Sequence, residues 1–174
     1  ATQNPIDQEG TYLLPEAQSD RFMLKCTISY PEFEDERKIM QMVATSHQPE
    51  IKPVISMQNV VEAKLLINQI YLDEKIEKYI LDMVFATRFP EKYGLSELKS
   101  LINFGASPRA SINLAIASRA MAFLKNRAFV IPEDVKEIAK DVLRHRIGLS
   151  FEAEAEEINS DQIVDKILAK VQAP

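Results

Sequence analysis

Two proline-opened stretches with a helical period constrain this chain more than any other feature. From Pro108, the apolar positions Ile112, Ala115, Ile116, Ala120, Phe123 and Leu124 recur at spacings of three and four. From Pro132, the positions Val135, Ile138, Ala139, Val142 and Leu143 do the same and define a buried stripe. Proline suits the first position of a helix, and Ser107 stands where an N-cap belongs. The same reading predicts further helices over about 32–46, 57–70, 74–88 and 160–172, with Ser56, Asp73 and Ser160 as candidate caps. Only 22–29 alternates cleanly, with Phe22, Leu24, Cys26 and Ile28 on one side, so it is a strand candidate. A two-stranded remnant followed by helices makes a poor independent sheet. The expectation is a mainly α chain: a remnant of an α/β core over about 1–30, then a helical unit over about 31–174.

Bulk properties narrow the function. The 174 residues suffice for one domain with a core, and 46% hydrophobic with 27% charged residues is a globular balance. A net charge of -5 disfavours nucleic acid as a partner, because phosphate binding needs clustered Lys and Arg. No apolar run reaches the roughly 18 residues of a membrane span. The single cysteine, Cys26, cannot form an internal disulfide, which suits a reducing, cytoplasmic compartment. Ala1-Thr2-Gln3 reads as a cut end.

Three residues could carry chemistry. Pro5 pushes Asn4 into an extended conformation, where its amide could orient a water or a phosphate oxygen at a strand end; the alternative is an ordinary turn. Arg21 follows a short Pro15-opened helix and precedes Phe22, which should anchor the turn in the core. A rigidly held arginine can neutralise charge on a transferring phosphoryl group. The alternative is a surface pair with Asp20 or Glu16. Arg109 falls in the first turn of the Pro108 helix, where the dipole disfavours a cation but the free N–H groups suit an anion. It is either part of a phosphate clamp or an exposed arginine paired with a carboxylate.

Other features read as structural. Asn68 and Gln69 break the apolar run before Asp73-Glu74 that a magnesium-binding Walker B strand requires. His47 and His145 have no ligand partners at zinc spacing. Arg144-His145-Arg146 suits the negative end of a helix, and Glu152, Glu154, Glu156 and Glu157 form a solvated face.

In order, Ala1-Thr2-Gln3-Asn4-Pro5, Gln8-Glu9-Gly10-Thr11-Tyr12, Leu14-Pro15-Glu16-Ala17-Gln18 and Asp20-Arg21-Phe22 resemble the sensor 1 and arginine-finger region of MoxR-type AAA+ ATPases. Gly105-Ala106-Ser107-Pro108-Arg109-Ala110 is similar to the family's sensor 2 motif. Asp141-Val142-Leu143-Arg144-His145-Arg146 and Ser150-Phe151-Glu152-Ala153-Glu154-Ala155-Glu156 are similar to its lid. The resemblance spans nearly the whole chain and implies a helical AAA+ lid preceded by the end of the P-loop ATPase core. It implies Asn4 as sensor 1, Arg21 as the arginine finger and Arg109 as the sensor 2 arginine. Ser19 departs from the family's usual aliphatic residue, and 89–102 is a longer connection than many members carry, with room for a partner surface.

No Gly-x-x-x-x-Gly-Lys-Ser/Thr occurs, so nothing in these residues can cradle phosphates as a P-loop does. The resemblance therefore implies ATP and magnesium for a full-length protein, and neither for this chain alone. It also implies a homo-oligomeric ring that remodels or matures client proteins, von Willebrand factor A-domain proteins among them. The competing readings are a stand-alone helical interaction module and, least favoured by the acidic balance, a helical DNA-binding domain.

Overall fold

The structure is a computed structural model that describes residues 2, 14–44 and 51–174. Asn4 and His47 lie outside the described residues. Eight α-helices are found among those described: α1 (Glu16–Ser19), α2 (Phe33–Ala44), α3 (Met57–Gln69), α4 (Glu74–Arg88), α5 (Pro108–Leu124), α6 (Pro132–Leu143), α7 (Phe151–Ala155) and α8 (Ser160–Lys170). Their bounds follow local chemistry. The Ser56 hydroxyl and Asn59 amide form a reciprocal capping box on α3, and the carboxylate of Asp73 accepts from Lys75 N at the start of α4. Pro108 and Pro132 open α5 and α6 as expected. The cap of α8 is Asn159, which exchanges hydrogen bonds with Gln162, rather than Ser160.

The core lies among α4, α5, α6 and α8. On α4, the residues Ile76, Tyr79, Ile80, Met83, Val84 and Thr87 repeat at three and four and are all buried. On α6 the expected stripe is the buried one, with Val135, Ala139, Val142 and Leu143 inside and Ile138 partly so. On α5 the expected face is wrong: Ile112, Ile116 and Leu124 are exposed, whereas Ala110, Leu114, Ala117, Ser118 and Ala122 are buried. This helix is apolar almost all round, so spacing alone does not choose its face. The small side chains win because they let α5 lie close against α6. Beyond α5, Arg127 forms a two-pronged ion pair with the fully buried Asp134, which also accepts from the N–H of Ile131 and lies 3.5 Å from Lys125 Nζ. That pair fixes the turn into α6.

Residues 22–29, expected as a strand, join no sheet. No described strand lies beside the segment, and its backbone bonds instead to the end of α6: Lys25 N donates to Asp141 O at 2.8 Å. The strands that do form were not expected, being too short to alternate. β1 (Ile102–Phe104) pairs antiparallel with β2 (Gly148–Leu149).

The start of α5 is pinned to the end of α4. Ala106 N donates to Thr87 Oγ1 at 2.9 Å, and Arg88 Nε donates to Ala106 O at 2.7 Å. This close approach requires Gly105, where a Cβ would lie 2.5 Å from the Thr87 carbonyl oxygen. Gly105→Ala is therefore expected to destabilise the fold by about 1–3 kcal/mol, since a backbone atom must move to admit the methyl. Thermal or urea unfolding checks this, and a variant as stable as the parent would contradict the packing described.

Candidate functional site

One carboxylate gathers the residues of interest. Asp20 caps the C-terminal end of α1, and its side chain is only 16% exposed. Oδ1 accepts from Ser107 Oγ at 2.9 Å and Arg146 Nε at 3.1 Å; Oδ2 accepts from Ser107 Oγ at 2.9 Å and Arg109 Nη1 at 3.0 Å. Burial alone would raise its pKa. The hydrogen bonds from Ser107 and Arg109, with the charges of Arg146 and Arg109, outweigh burial and hold the carboxyl below the ordinary aspartate value.

The arrangement puts Arg109 where the sequence placed it, in the first turn of α5 behind the Ser107 cap, whose hydroxyl accepts from Arg109 N at 3.2 Å. Its guanidinium touches Asp20 and is otherwise open, with the side chain 55% exposed. Of the two sequence alternatives, the geometry shows the exposed arginine paired with a carboxylate. An anion close to a helix start also offsets the unfavourable cation there.

Arg21 sits beside Asp20 but does not pair with it. Asp20 is committed to Ser107, Arg109 and Arg146, and Glu16 forms no ion pair with Arg21. Among the described residues the exposed Arg21 side chain has no partner, while its N–H bonds to Gln18 O at 3.2 Å. Phe22 does not anchor this turn through its ring, which belongs to a residue 44% exposed. The anchoring is through backbone carbonyls. Arg146 donates to the carbonyls of Asp20 at 3.0 Å, Met23 at 3.2 Å and Phe22, and His145 Nε2 lies 3.0 Å from Phe22 O.

Arg146 was read as a helix-end cation, and its role is larger. It lies beyond the end of α6, its side chain is wholly buried, and it also bonds to Val142 O. Next to it, Arg144 reaches Lys25 O at 2.8 Å, Thr27 Oγ1 at 2.7 Å and Asp161 at 2.9 Å. Three consecutive side chains thus hold the 20–27 segment against the helices. Nothing in the local sequence signals this, because the partners are more than 115 positions away. Among the described residues no group of His, Cys, Asp or Glu is arranged to hold a metal ion. Asn4 lies outside them.

The exposed Arg109 at the start of α5 and the buried Arg146 beyond α6 thus converge on one carboxylate. Residues 97–167 match the family described as the AAA lid domain, and residues 1–24 match the ATPase family associated with various cellular activities. The chain is 40% identical to Chaperone MoxR1 of Mycobacterium tuberculosis, over 100% of this chain and 46% of that protein. It is 37% identical to the Bacillus subtilis protein YeaC, over 100% of this chain and 52% of that one. A solved structure of a candidate ATPase from Cytophaga hutchinsonii superposes with a TM-score of 0.93 at 48% identity, covering 99% of this chain and 52% of that one. The chain belongs to the MoxR family of AAA+ ATPases. It spans about half the length of the relatives it matches.

His145 gives a test of the clamp. Burial lowers its pKa, the bond to the Phe22 carbonyl works the other way, and the charges of Arg146 and Lys25 lower it further. Its Nδ1 is buried without a partner among the described residues, so a second ring proton would find no acceptor there. The unfolded imidazole keeps the ordinary value of about 6.5, so below that pH the unfolded chain binds more proton than the folded one. Stability is expected to fall as pH drops through this range and to level off below the folded value. His145→Gln, whose amide can still donate to Phe22 O, should flatten that arm of the melting-temperature profile. An unchanged profile would mean that His145 titrates normally.

Proposed function

We propose that this chain works as the sensor and lid portion of a longer MoxR-type ATPase, with residues 1–30 belonging to its α/β core and 31–174 to its lid. In that protein Arg21 acts as an arginine finger, Arg109 as the sensor 2 arginine, and Asn4 as the sensor 1 residue. The observation that carries the reading is the geometry at Asp20: two exposed arginines, 88 positions apart, extend from one rigid base. The donors fit a phosphate group. Arg109 spends one Nη on Asp20 and is 55% exposed, and the exposed Arg21 side chain has no partner among the described residues. ATP with magnesium supplies the phosphoryl group when bound. Arg109 would hold a phosphate oxygen and report its presence to α5, while Arg21 would neutralise charge at a neighbouring subunit's site.

The relative named as a chaperone supports a chaperone-like role in which hydrolysis remodels partner proteins. We extend this to a ring-shaped homo-oligomer acting in the cytoplasm, with von Willebrand factor A-domain proteins among its clients. Among the described residues no helix is long and apolar enough to cross a membrane.

The sequence of this chain contains no P-loop, so calorimetry on it with ATP and magnesium should show no binding at micromolar nucleotide. A clear micromolar isotherm would place a nucleotide site within these residues and overturn the division of labour. In the full-length protein, Arg21→Ala should leave nucleotide affinity nearly unchanged and lower turnover by roughly 10³-fold, less if the ring tolerates one weak interface. Arg21→Lys should recover little, because an ammonium lacks the two-pronged fork. Mixing Arg21→Ala subunits with P-loop-disabled subunits should restore part of the activity. No recovery in rings shown to be mixed would rule out action between subunits, and parental turnover by Arg21→Ala alone would rule out the finger.

A further inference from the structure

We propose that Asp20 is a positioning residue that couples Arg109 to Arg21, so that the lid arginine and the finger arginine move as one unit. The inference rests on the arginine assignments above and adds a residue to which they give no role. Its basis is the distribution of bonds around one side chain. Through Oδ2, Asp20 orients the guanidinium of Arg109 at 3.0 Å; through Ser107 it holds the cap of the helix that carries Arg109. Through Oδ1 it binds Arg146, which in turn fixes the carbonyls on both sides of Arg21, those of Asp20 and Phe22. The backbone that carries Arg21 and the side chain of Arg109 therefore share one carboxylate.

The consequence is mechanical. A phosphate drawing Arg109 out of its position pulls on Asp20, and Asp20 cannot shift without disturbing the Arg146 bonds that set the Arg21 backbone. The carboxylate takes three donors from three separate places, Ser107 at the cap of α5 (its one hydroxyl shared between the two oxygens), Arg109 in the first turn and Arg146 after α6. An aspartate serving only as a local turn cap would need none of them. The lowered Asp20 pKa agrees with a carboxylate kept charged for this purpose.

The test uses the full-length protein. Asp20→Asn keeps the shape and removes the charge, and kcat should fall on the order of 10- to 100-fold while KM changes much less. In an Arg109→Ala background the same substitution should cost little more, because the two residues act through one contact. A second readout needs no nucleotide. Arg109→Ala should speed amide hydrogen exchange at residues 19–23, which are remote in sequence and touch Arg109 only through Asp20. Asn at position 20 leaves the buried Arg146 without its counter-charge and could unfold the protein. Asp20→Glu keeps that charge while displacing the carboxylate, and should show the same kcat loss with a near-parental melting temperature.

The outcomes separate the two claims. If Arg21→Ala and Arg109→Ala both turn over normally, the arginine assignments fail, and the coupling with them. If both lose activity, additive losses in the double variant together with unchanged exchange at 19–23 overturn the coupling alone. A kcat loss in Asp20→Glu that merely tracks loss of folded protein also overturns it.

Discussion

The tie between Asp20 and the buried Arg146 is the contact on which the rest of the site depends. Arg146 is wholly enclosed, and an enclosed guanidinium is tolerable only if its charge and its donors are met. Asp20 supplies the charge, and the carbonyls of Asp20, Phe22, Met23 and Val142 take the donors. Removing one member of such a pair typically costs about 3–5 kcal/mol, because the other is left buried and unpaired. The segment 20–23 adds little apolar burial of its own, with Phe22, Met23 and Leu24 all at least 36% exposed. Its place is therefore set by polar bonds, whose directionality fixes geometry more tightly than apolar contact does.

The helical body supplies the rigid side of that tie. The buried face of α4 and the alanine-rich face of α5 set the bundle, and the Thr87 and Arg88 bonds to Ala106 deliver the start of α5 to a fixed point. Arg109 is one turn from that point. Its position is thus determined by packing some distance away, as the proposed sensor role would require.

What the sequence reveals here is what local chemistry decides. The bounds of α3, α4, α5 and α6 were legible because capping residues, first-turn prolines and three–four spacing act within a few positions. The buried face of α5 was not, since Ile112 and Ile116 are as apolar as Leu114 and only packing against α6 distinguishes them. The strand expected at 22–29 failed because alternation describes a surface, while a strand also needs a neighbour to bond with. At the site, the helix-start position of Arg109 was readable from Ser107-Pro108. The role of Asp20 was not. It looked like a surface partner for Arg21 and proved to be an anchor for arginines 89 and 126 positions away, a pairing with no local signature.

The two arginines differ in a way that bears on their division of labour. Arg109 has its side chain held at one end by Asp20, so a phosphate approaching it meets a guanidinium already oriented, with less rotamer freedom left to lose. Arg21 is the reverse case: its backbone is fixed by bonds on either side, yet its side chain has no partner among the described residues. A long side chain on a fixed stem samples a restricted volume and is ordered only by a group that enters it. Such a residue suits an encounter between surfaces, where the approaching partner completes the orientation, and Arg109 suits a ligand already seated. The same carboxylate contributes to both conditions, since it takes up Arg109 and Arg146 and forms no ion pair with Arg21.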